Sequence, residues 1–274
     1  MRDEELERVA NEVRKGIVTA VHAAKSGHPG GSLGAADMLT YLYFEEMNID
    51  PDRPGWPDRD RFVLSKGHCA PGLYATLAAR GFFPASDLEG LRHIGSHLQG
   101  HPNMRDTPGV DMTTGSLGQG VSAAVGMALA AKHWGEDHRV YAMLGDGECE
   151  EGQVWEASMF AGNQKLDNLC LIVDHNGLQI DGTIEEVNSA MPLAEKFRAF
   201  KFHVVELADG HDMSQIRAAL TKARATKGAP TCIVAETVKG RGVSFMENQV
   251  GWHGKAPNDK QYAQAMAELD KEAQ

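Results

Sequence analysis

Apolar residues recur at steps of three and four from the start of the chain, with Leu6, Val9, Val13, Ile17, Val21 and Ala24 on one face. That spacing predicts an amphipathic helix over residues 3–25, stopped by Ser26-Gly27. A second helical pattern over about 35–47 runs into a loop at 48–60 that is rich in Pro, Asp and Gly. The period then changes. Five short runs read as strands: Phe62 to Leu64, Val140 to Leu144, Leu169 to Val173, His203 to Leu207 and Cys232 to Ala235. Four of the five are almost continuously apolar, as expected for strands covered on both faces. Helical stretches near 71–80, 119–134, 152–164 and 212–226 separate them. The alternation predicts an α/β fold, a doubly wound and mainly parallel sheet with helices on both faces. Residues 1–274 read as a single domain. The stretch 81–114 carries little periodic signal yet holds His93, His97 and His101, and long loops of this kind are usually functional.

Of the 274 residues 42 % are hydrophobic, which suits one domain with a substantial core. No uninterrupted run of about 18 apolar residues predicts a membrane helix. The first seven residues are mostly charged, unlike a signal peptide, so a cytoplasmic location is expected. Thirty-eight acidic against 27 basic residues give a net charge of −11. Without a basic run, this balance argues against nucleic acid or an acidic membrane as partner, while leaving room for a small phosphorylated ligand. Cys69, Cys149, Cys170 and Cys232 are too scattered for a zinc site or a disulfide framework and read as reduced thiols.

The strongest chemical signal follows the strand at 140–144. There Gly145-Asp146-Gly147-Glu148-Cys149-Glu150-Glu151-Gly152 is followed, thirty residues after Asp146, by Asn176-Gly177-Leu178. Both segments come at the carboxyl end of an apolar strand, where α/β sheets bind ligands. Asp146 offers an anionic oxygen, Asn176 an amide oxygen, and the turn at Gly177 a main-chain carbonyl. Magnesium wants such hard oxygens and takes part of its shell from phosphate, while Gly145 and Gly147 let backbone approach that phosphate. Four further residues, His28, His68, His101 and His253, each stand beside a glycine that leaves room for a ligand. Imidazole exchanges protons near neutral pH. Glu148 and Glu150 read as solvated acids favoured by a helix N-terminus.

The Gly-Asp-Gly and Asn pair resembles the metal–diphosphate motif of thiamine-diphosphate enzymes. Ser26-Gly27-His28-Pro29-Gly30, Ser65-Lys66-Gly67-His68, Gly100-His101-Pro102, Thr114-Gly115-Ser116-Leu117-Gly118-Gln119-Gly120 and Trp252-His253-Gly254 resemble blocks of the transketolase family, in that family's order, across nearly all of residues 5–257. The resemblance is to the diphosphate-binding N-terminal domain. It implies that Asp146, Asn176 and the Leu178 carbonyl hold Mg2+ or Ca2+, and that His68, Gly145 and Gly147 touch the diphosphate. It places Gly115, Ser116 and Leu117 at the thiamine, and His28, His101 and His253 at the reacting carbon. Lys239 lies in a looser match, Lys239-Gly240-Arg241-Gly242, near the diphosphate. Glu151 corresponds to the glutamate that links two active sites across a dimer interface.

The pyrimidine-binding and C-terminal domains of a full transketolase are missing from these 274 residues. The resemblance therefore implies the N-terminal subunit of a split enzyme, inactive alone and completed by a separate C-terminal subunit, with two copies of each chain in a heterotetramer. It would move a two-carbon ketol unit from a ketose phosphate to an aldose phosphate, as in the pentose phosphate pathway. Related split enzymes acting on 6-deoxy-6-sulfofructose or apulose 4-phosphate, and a non-catalytic cofactor-binding module, are the alternatives. A large apolar face awaiting the partner is expected.

Overall fold

The computed structural model describes residues 1–272. Its frame is a five-stranded parallel sheet in the order β1-β2-β3-β7-β6. The strands are β1 (Arg61–Leu64), β2 (Val140–Gly145), β3 (Leu169–His175), β6 (His203–Leu207) and β7 (Thr231–Glu236). A two-stranded hairpin, β4 (Leu178–Gln179) with β5 (Gly182–Thr183), stands apart from the sheet. All five strand runs read from the sequence are present. Their parallel pairing aligns Leu64 with Met143, Gly145 with Asp174, and Asp174 with Ala235, so the carboxyl ends of neighbouring strands lie side by side.

Successive side chains in a strand point to opposite faces, and this divides the apolar runs between two cores. Phe62, Leu64, Tyr141, Met143, Cys170, Ile172, Ile233 and Ala235 pack with one layer of helices. That layer contains α1 (Asp3–Ala24), α2 (Pro29–Gly34), α3 (Ala36–Tyr41), α4 (Ala70–Arg80), α9 (Met213–Ala225) and α10 (Asp259–Glu272). Val63, Val140, Ala142, Leu144, Leu169, Leu171, Val173, Cys232 and Val234 face the other, built on α5 (Gln119–Trp134), α6 (Gly152–Asn163) and α8 (Leu193–Ala199). The strand β6 lies at the sheet edge and is the one run with exposed positions, which explains why its sequence mixes His203 and Glu206 with apolar residues. A short helix, α7 (Ile184–Val187), is capped by Thr183.

Two elements differ from the periodicity. The helix expected at about 35–47 is present as α3 but ends in a wide π-helical turn over Leu42–Glu46, and the short helix α2 precedes it across Ala35. The reason lies in Glu46: it is buried, accepts a hydrogen bond from the Tyr141 hydroxyl at 2.6 Å, and pairs with Arg224 at 3.0 Å. The terminal helix α10, which the sequence pattern does not announce, is held by tertiary contact, with Asn11 of α1 donating to the Leu269 carbonyl at 2.7 Å. Residues 81–114 form a long irregular excursion, with a single 3₁₀ turn at Ala85–Gly90.

The small residues that open α5 serve close packing. A Cβ at Gly120 would lie 2.7 Å from the Cα of Ser65, at the end of β1. Gly120→Ala must push α5 away from the sheet edge and should cost about 1–3 kcal/mol, the usual range for overpacking. Urea unfolding should show a lowered midpoint; an unchanged midpoint would mean that the Ser65 turn yields freely.

Candidate functional site

Four strand ends and their following loops converge on one pocket of about 270 Å³. Lys66 and His68 arrive after β1, Asp146 after β2, Asn176 and Leu178 after β3, and Lys239 after β7, while His28 and His253 close the pocket from other loops. Missing side chains let the loops touch. A Cβ at Gly67 would meet the Gly115 nitrogen at 2.8 Å, and one at Gly30 would meet the Trp252 carbonyl oxygen at 2.9 Å. Of the residues expected at a cofactor, His28, His68, Gly115, Leu117, Gly145, Asp146, Gly147, Asn176, Leu178, Lys239 and His253 all line this pocket. Ser116 and Glu151 face solvent. His101 lies against Gly115 from the side of an adjoining hollow, with its Cδ2 3.3 Å from where a Gly115 Cβ would stand.

Asp146 is held by backbone alone. One carboxylate oxygen accepts from Gly147 N–H at 2.8 Å, the other from Asn176 N–H at 2.9 Å and Gly177 N–H at 2.6 Å. Burial and the nearby Asp174 charge raise its pKa, and no cation pairs with it among the described residues. The Asn176 amide is oriented by its neighbours. Its Nδ2 donates to Asp174 at 3.1 Å and its Oδ1 accepts from Leu178 N–H at 3.2 Å. The Leu178 carbonyl accepts from Lys239 Nζ at 3.1 Å. One carboxylate, one amide and one carbonyl oxygen thus border a single hollow, a hard-oxygen donor set suited to Mg2+ or Ca2+. No group of three His, Cys, Asp or Glu able to hold a metal occurs among the described residues. An ion seated at these oxygens needs the rest of its shell from phosphate or water.

Cationic and imidazole side chains line the rest of the pocket. Lys66 is 2 % exposed, ion-paired with Asp174 and donating to the Gly31 carbonyl at 3.2 Å. The nearby carboxylates outweigh its burial and push its pKa up. The rings of His28, His68 and His253 lie with centroids 5.1–5.4 Å apart. Burial, followed by charge repulsion from neighbouring histidines and lysines, lowers His28 and His68 to about 4 and His253 to about 3. All three are neutral bases at pH 7. The Nδ1 atoms of His28 and His253 are buried without a hydrogen-bond partner among the described residues.

The structure corrects the reading of Glu148. It is 3 % exposed and accepts from Ser65 Oγ, Gly118 N–H at 2.9 Å and Gly145 N–H at 3.1 Å, tying the ends of β1, α5 and β2 together. Burial raises its pKa. Glu150 is half-buried and accepts from Gln179 at 2.9 Å. Asp174 and Lys66 likewise take roles that the motifs do not reveal. Their signal in the sequence is a charge at the end of an otherwise apolar strand, where an unpaired ion would be costly.

These imidazoles make the site pH-dependent in a definite direction. Their pKa values are pushed below the ordinary 6.5, so the unfolded chain takes up protons first. The stability they contribute is complete above pH 6.5 and is lost as pH falls toward their folded values of about 4 and 3. Proton NMR of the histidine C2 resonances should show His28, His68 and His253 titrating well into the acid range, and the melting temperature should decline between pH 6.5 and 4. Titration of all three near 6.5 would show that the pocket is wetter than its packing indicates.

The chain matches the family described as "Transketolase, thiamine diphosphate binding domain" over residues 6–273. It is 47 % identical over 268 residues to the 6-deoxy-6-sulfo-D-fructose transketolase subunit SqwG of a Clostridium species, covering 98 % of this chain and 97 % of that one. A subunit of the apulose-4-phosphate transketolase of Phocaeicola vulgatus is 44 % identical over 98 % of this chain and 95 % of its own. Rat transketolase is 43 % identical over 91 % of this chain, which spans 40 % of that protein. Among solved structures, transketolase from Campylobacter jejuni superposes with a TM-score of 0.92 at 35 % identity, over 98 % of this chain and 43 % of that one. The fold agrees with these relatives, and the chain belongs to the transketolase family and carries that family's thiamine-diphosphate-binding domain.

Proposed function

We propose that this chain is the diphosphate-binding subunit of a two-chain transketolase, and that the pocket at the strand ends holds the diphosphate of thiamine diphosphate through a bridging Mg2+ or Ca2+. The observation that carries this reading is the pairing, within one pocket, of a hard-oxygen wall at Asp146, Asn176 and Leu178 with a wall of three neutral imidazoles. In it Asp146, Asn176 Oδ1 and the Leu178 carbonyl would hold the ion. Gly145, Gly147, His68 and Lys239 would contact the diphosphate, with Gly115, Ser116 and Leu117 at the thiamine. Lys239 is 3 % exposed and its pKa is lowered by burial, so a phosphate beside it gains a desolvated cation.

Bound there, thiamine diphosphate supplies an electron sink for the pair released when a ketose carbon–carbon bond breaks. His28, His101 and His253 take the proton from the donor hydroxyl that becomes the carbonyl of the released aldehyde as the carbon–carbon bond breaks, and return a proton to the carbonyl oxygen of the acceptor aldehyde as the new bond forms. Imidazoles that are bare at neutral pH suit the first of these tasks. The substrates are a ketose donor and an aldose acceptor carrying an anionic end group. The names of the relatives favour including 6-deoxy-6-sulfofructose and apulose 4-phosphate beside the ordinary sugar phosphates.

A second chain supplies the pyrimidine-binding half. The subunit-named relatives are matched over nearly their whole length, whereas rat transketolase is matched over 40 %. Apolar side chains stand exposed at Ile180, which lines the pocket, at Val187 and Met191, and on α6 at Met159 and Phe160. Glu151, solvent-facing at the start of α6 and close to Gly118, is placed to meet such a partner. Two copies of each chain, a cytoplasmic location and a role in sugar-phosphate metabolism complete the proposal. No helix among the described residues is long and apolar enough to cross a membrane.

Purification of the tagged chain from its host should bring down a second chain in equal amount, and the pair should transfer a ketol unit in the presence of thiamine diphosphate and Mg2+. A chain that emerges alone and binds the cofactor unaided would count against the split enzyme. Asp146→Ala should abolish metal-dependent cofactor binding in calorimetry, and unchanged affinity would remove the metal assignment. His253→Ala should lower turnover by roughly a hundredfold or more, as expected for loss of an acid–base group, while cofactor affinity changes far less.

A further inference from the structure

Arg92 sits in the long irregular excursion and is unmarked by any motif, yet three independent features set it apart. Its backbone has φ of 60°, a left-handed conformation that side chains with a Cβ rarely adopt. Its Nε is buried with no hydrogen-bond partner among the described residues. Its guanidinium lies between the two loops that carry His28 and His101. Nη1 donates to Ser26 Oγ at 2.7 Å, two residues before His28. The guanidinium also lies against Gly100, just before His101, where a Cβ would stand 3.0 Å from Nε and 3.3 Å from Cζ and Nη2.

The left-handed turn is what delivers the side chain to that place. The Arg92 N–H donates to the Leu98 carbonyl at 2.8 Å, folding the loop back on itself. From the core side, the Tyr74 hydroxyl of α4 donates to the carbonyls of Gln99 at 3.0 Å and His101 at 2.9 Å. The His101 loop is thus fixed by Tyr74 on one flank and by Arg92 on the other, and only Arg92 extends the tie to the His28 loop. Strained backbone and unpaired buried donors concentrate at functional sites because surrounding structure must hold them in place.

We propose that Arg92 is a positioning residue for proton transfer, bracing the His28 loop against the His101 loop and fixing one permanent cation beside both imidazoles. The proposal rests on the reading of His28 and His101 as groups that move protons in the reaction. The cation's influence is selective. After burial, the groups lowering His28 are His68, Arg92, His101 and Lys239, with His253 also packed against its ring. Those lowering His101 are burial, Arg92 and His68. His68 and His253 are instead governed by burial and by charges that include Lys66 and Lys239. A fixed positive charge makes an imidazolium formed during turnover a stronger acid, so the proton taken is readily returned.

Arg92→Met, Arg92→Lys and Ser26→Ala in the full chain separate charge from bracing. With Arg92→Met, the C2-proton titrations of His28 and His101 should move to higher pH while those of His68 and His253 stay. In the complex with the second chain, the acidic limb of kcat/KM should move up in pH in the same sense, because the bare imidazole is lost sooner as pH falls. Arg92→Lys should leave the titrations low yet reduce kcat by roughly ten- to a hundredfold, the scale of a misplaced reacting group, with thiamine-diphosphate affinity little changed. Ser26→Ala, which keeps the charge and loses the tie, should follow Arg92→Lys in a milder form. Unmoved His28 and His101 titrations in Arg92→Met, or full turnover in Arg92→Lys, would overturn the proposal. His28→Asn, assayed alongside, tests the underlying reading separately: full turnover there removes the histidine from the reaction whatever the Arg92 variants show.

Discussion

The buried ion pair of Lys66 with Asp174 is the constraint on which the site depends. These residues end β1 and β3, which are separated in the sheet by β2, and each is almost wholly excluded from water. Isolated, either charge would be strongly disfavoured in this setting; together they fix the distance between two strand ends. Asp174 then serves three further elements. It accepts from Thr237 Oγ1 after β7, orients the Asn176 amide, and its carbonyl receives the Asp146 N–H at 3.2 Å. The oxygen wall of the pocket is thereby placed by groups that do not themselves form it, an arrangement typical of metal and phosphate sites. Glu148 does the same on the neighbouring side, its carboxylate joining β1, β2 and α5 by accepting three hydrogen bonds.

Two buried lysines line the pocket, Lys66 neutralised by Asp174 and Lys239 donating to the Leu178 carbonyl. The imidazoles of His28, His68 and His253 are driven neutral by burial and by neighbouring cations. Protonation of any one raises the cost of protonating the next, so the cluster behaves as a set of bases over the physiological range. An anionic ligand beside Lys239 would relieve this repulsion.

Much of the architecture is legible in the sequence because it rests on local rules. The period of α1, the apolar strand runs and the glycine-flanked motifs at strand ends are visible along the chain, and they place the site at the carboxyl edge of the sheet. The departures share one cause. Glu148 reads as a solvated acid because the donors that bind it, Ser65 and Gly118, are distant in sequence. The π-helical turn at Leu42–Glu46 follows from Tyr141 and Arg224, neither of which is near it in the chain. Helix α10 escapes a periodic reading because its mostly polar sequence is anchored by the few residues, Ala265 and Leu269, that reach the core.

By itself, then, the sequence determined the class of fold, the strands and most helices, and most of the residues that line the pocket at the strand ends. These are consequences of backbone period and of which atoms can serve as ligands. Only the tertiary structure decided which charges lie out of water, that three histidines from separate loops share one wall, and that Arg92 stands between the loops of His28 and His101. Burial and proximity are produced jointly by segments far apart in the chain, and the pKa of an imidazole or the orientation of an amide follows from them rather than from its neighbours in sequence.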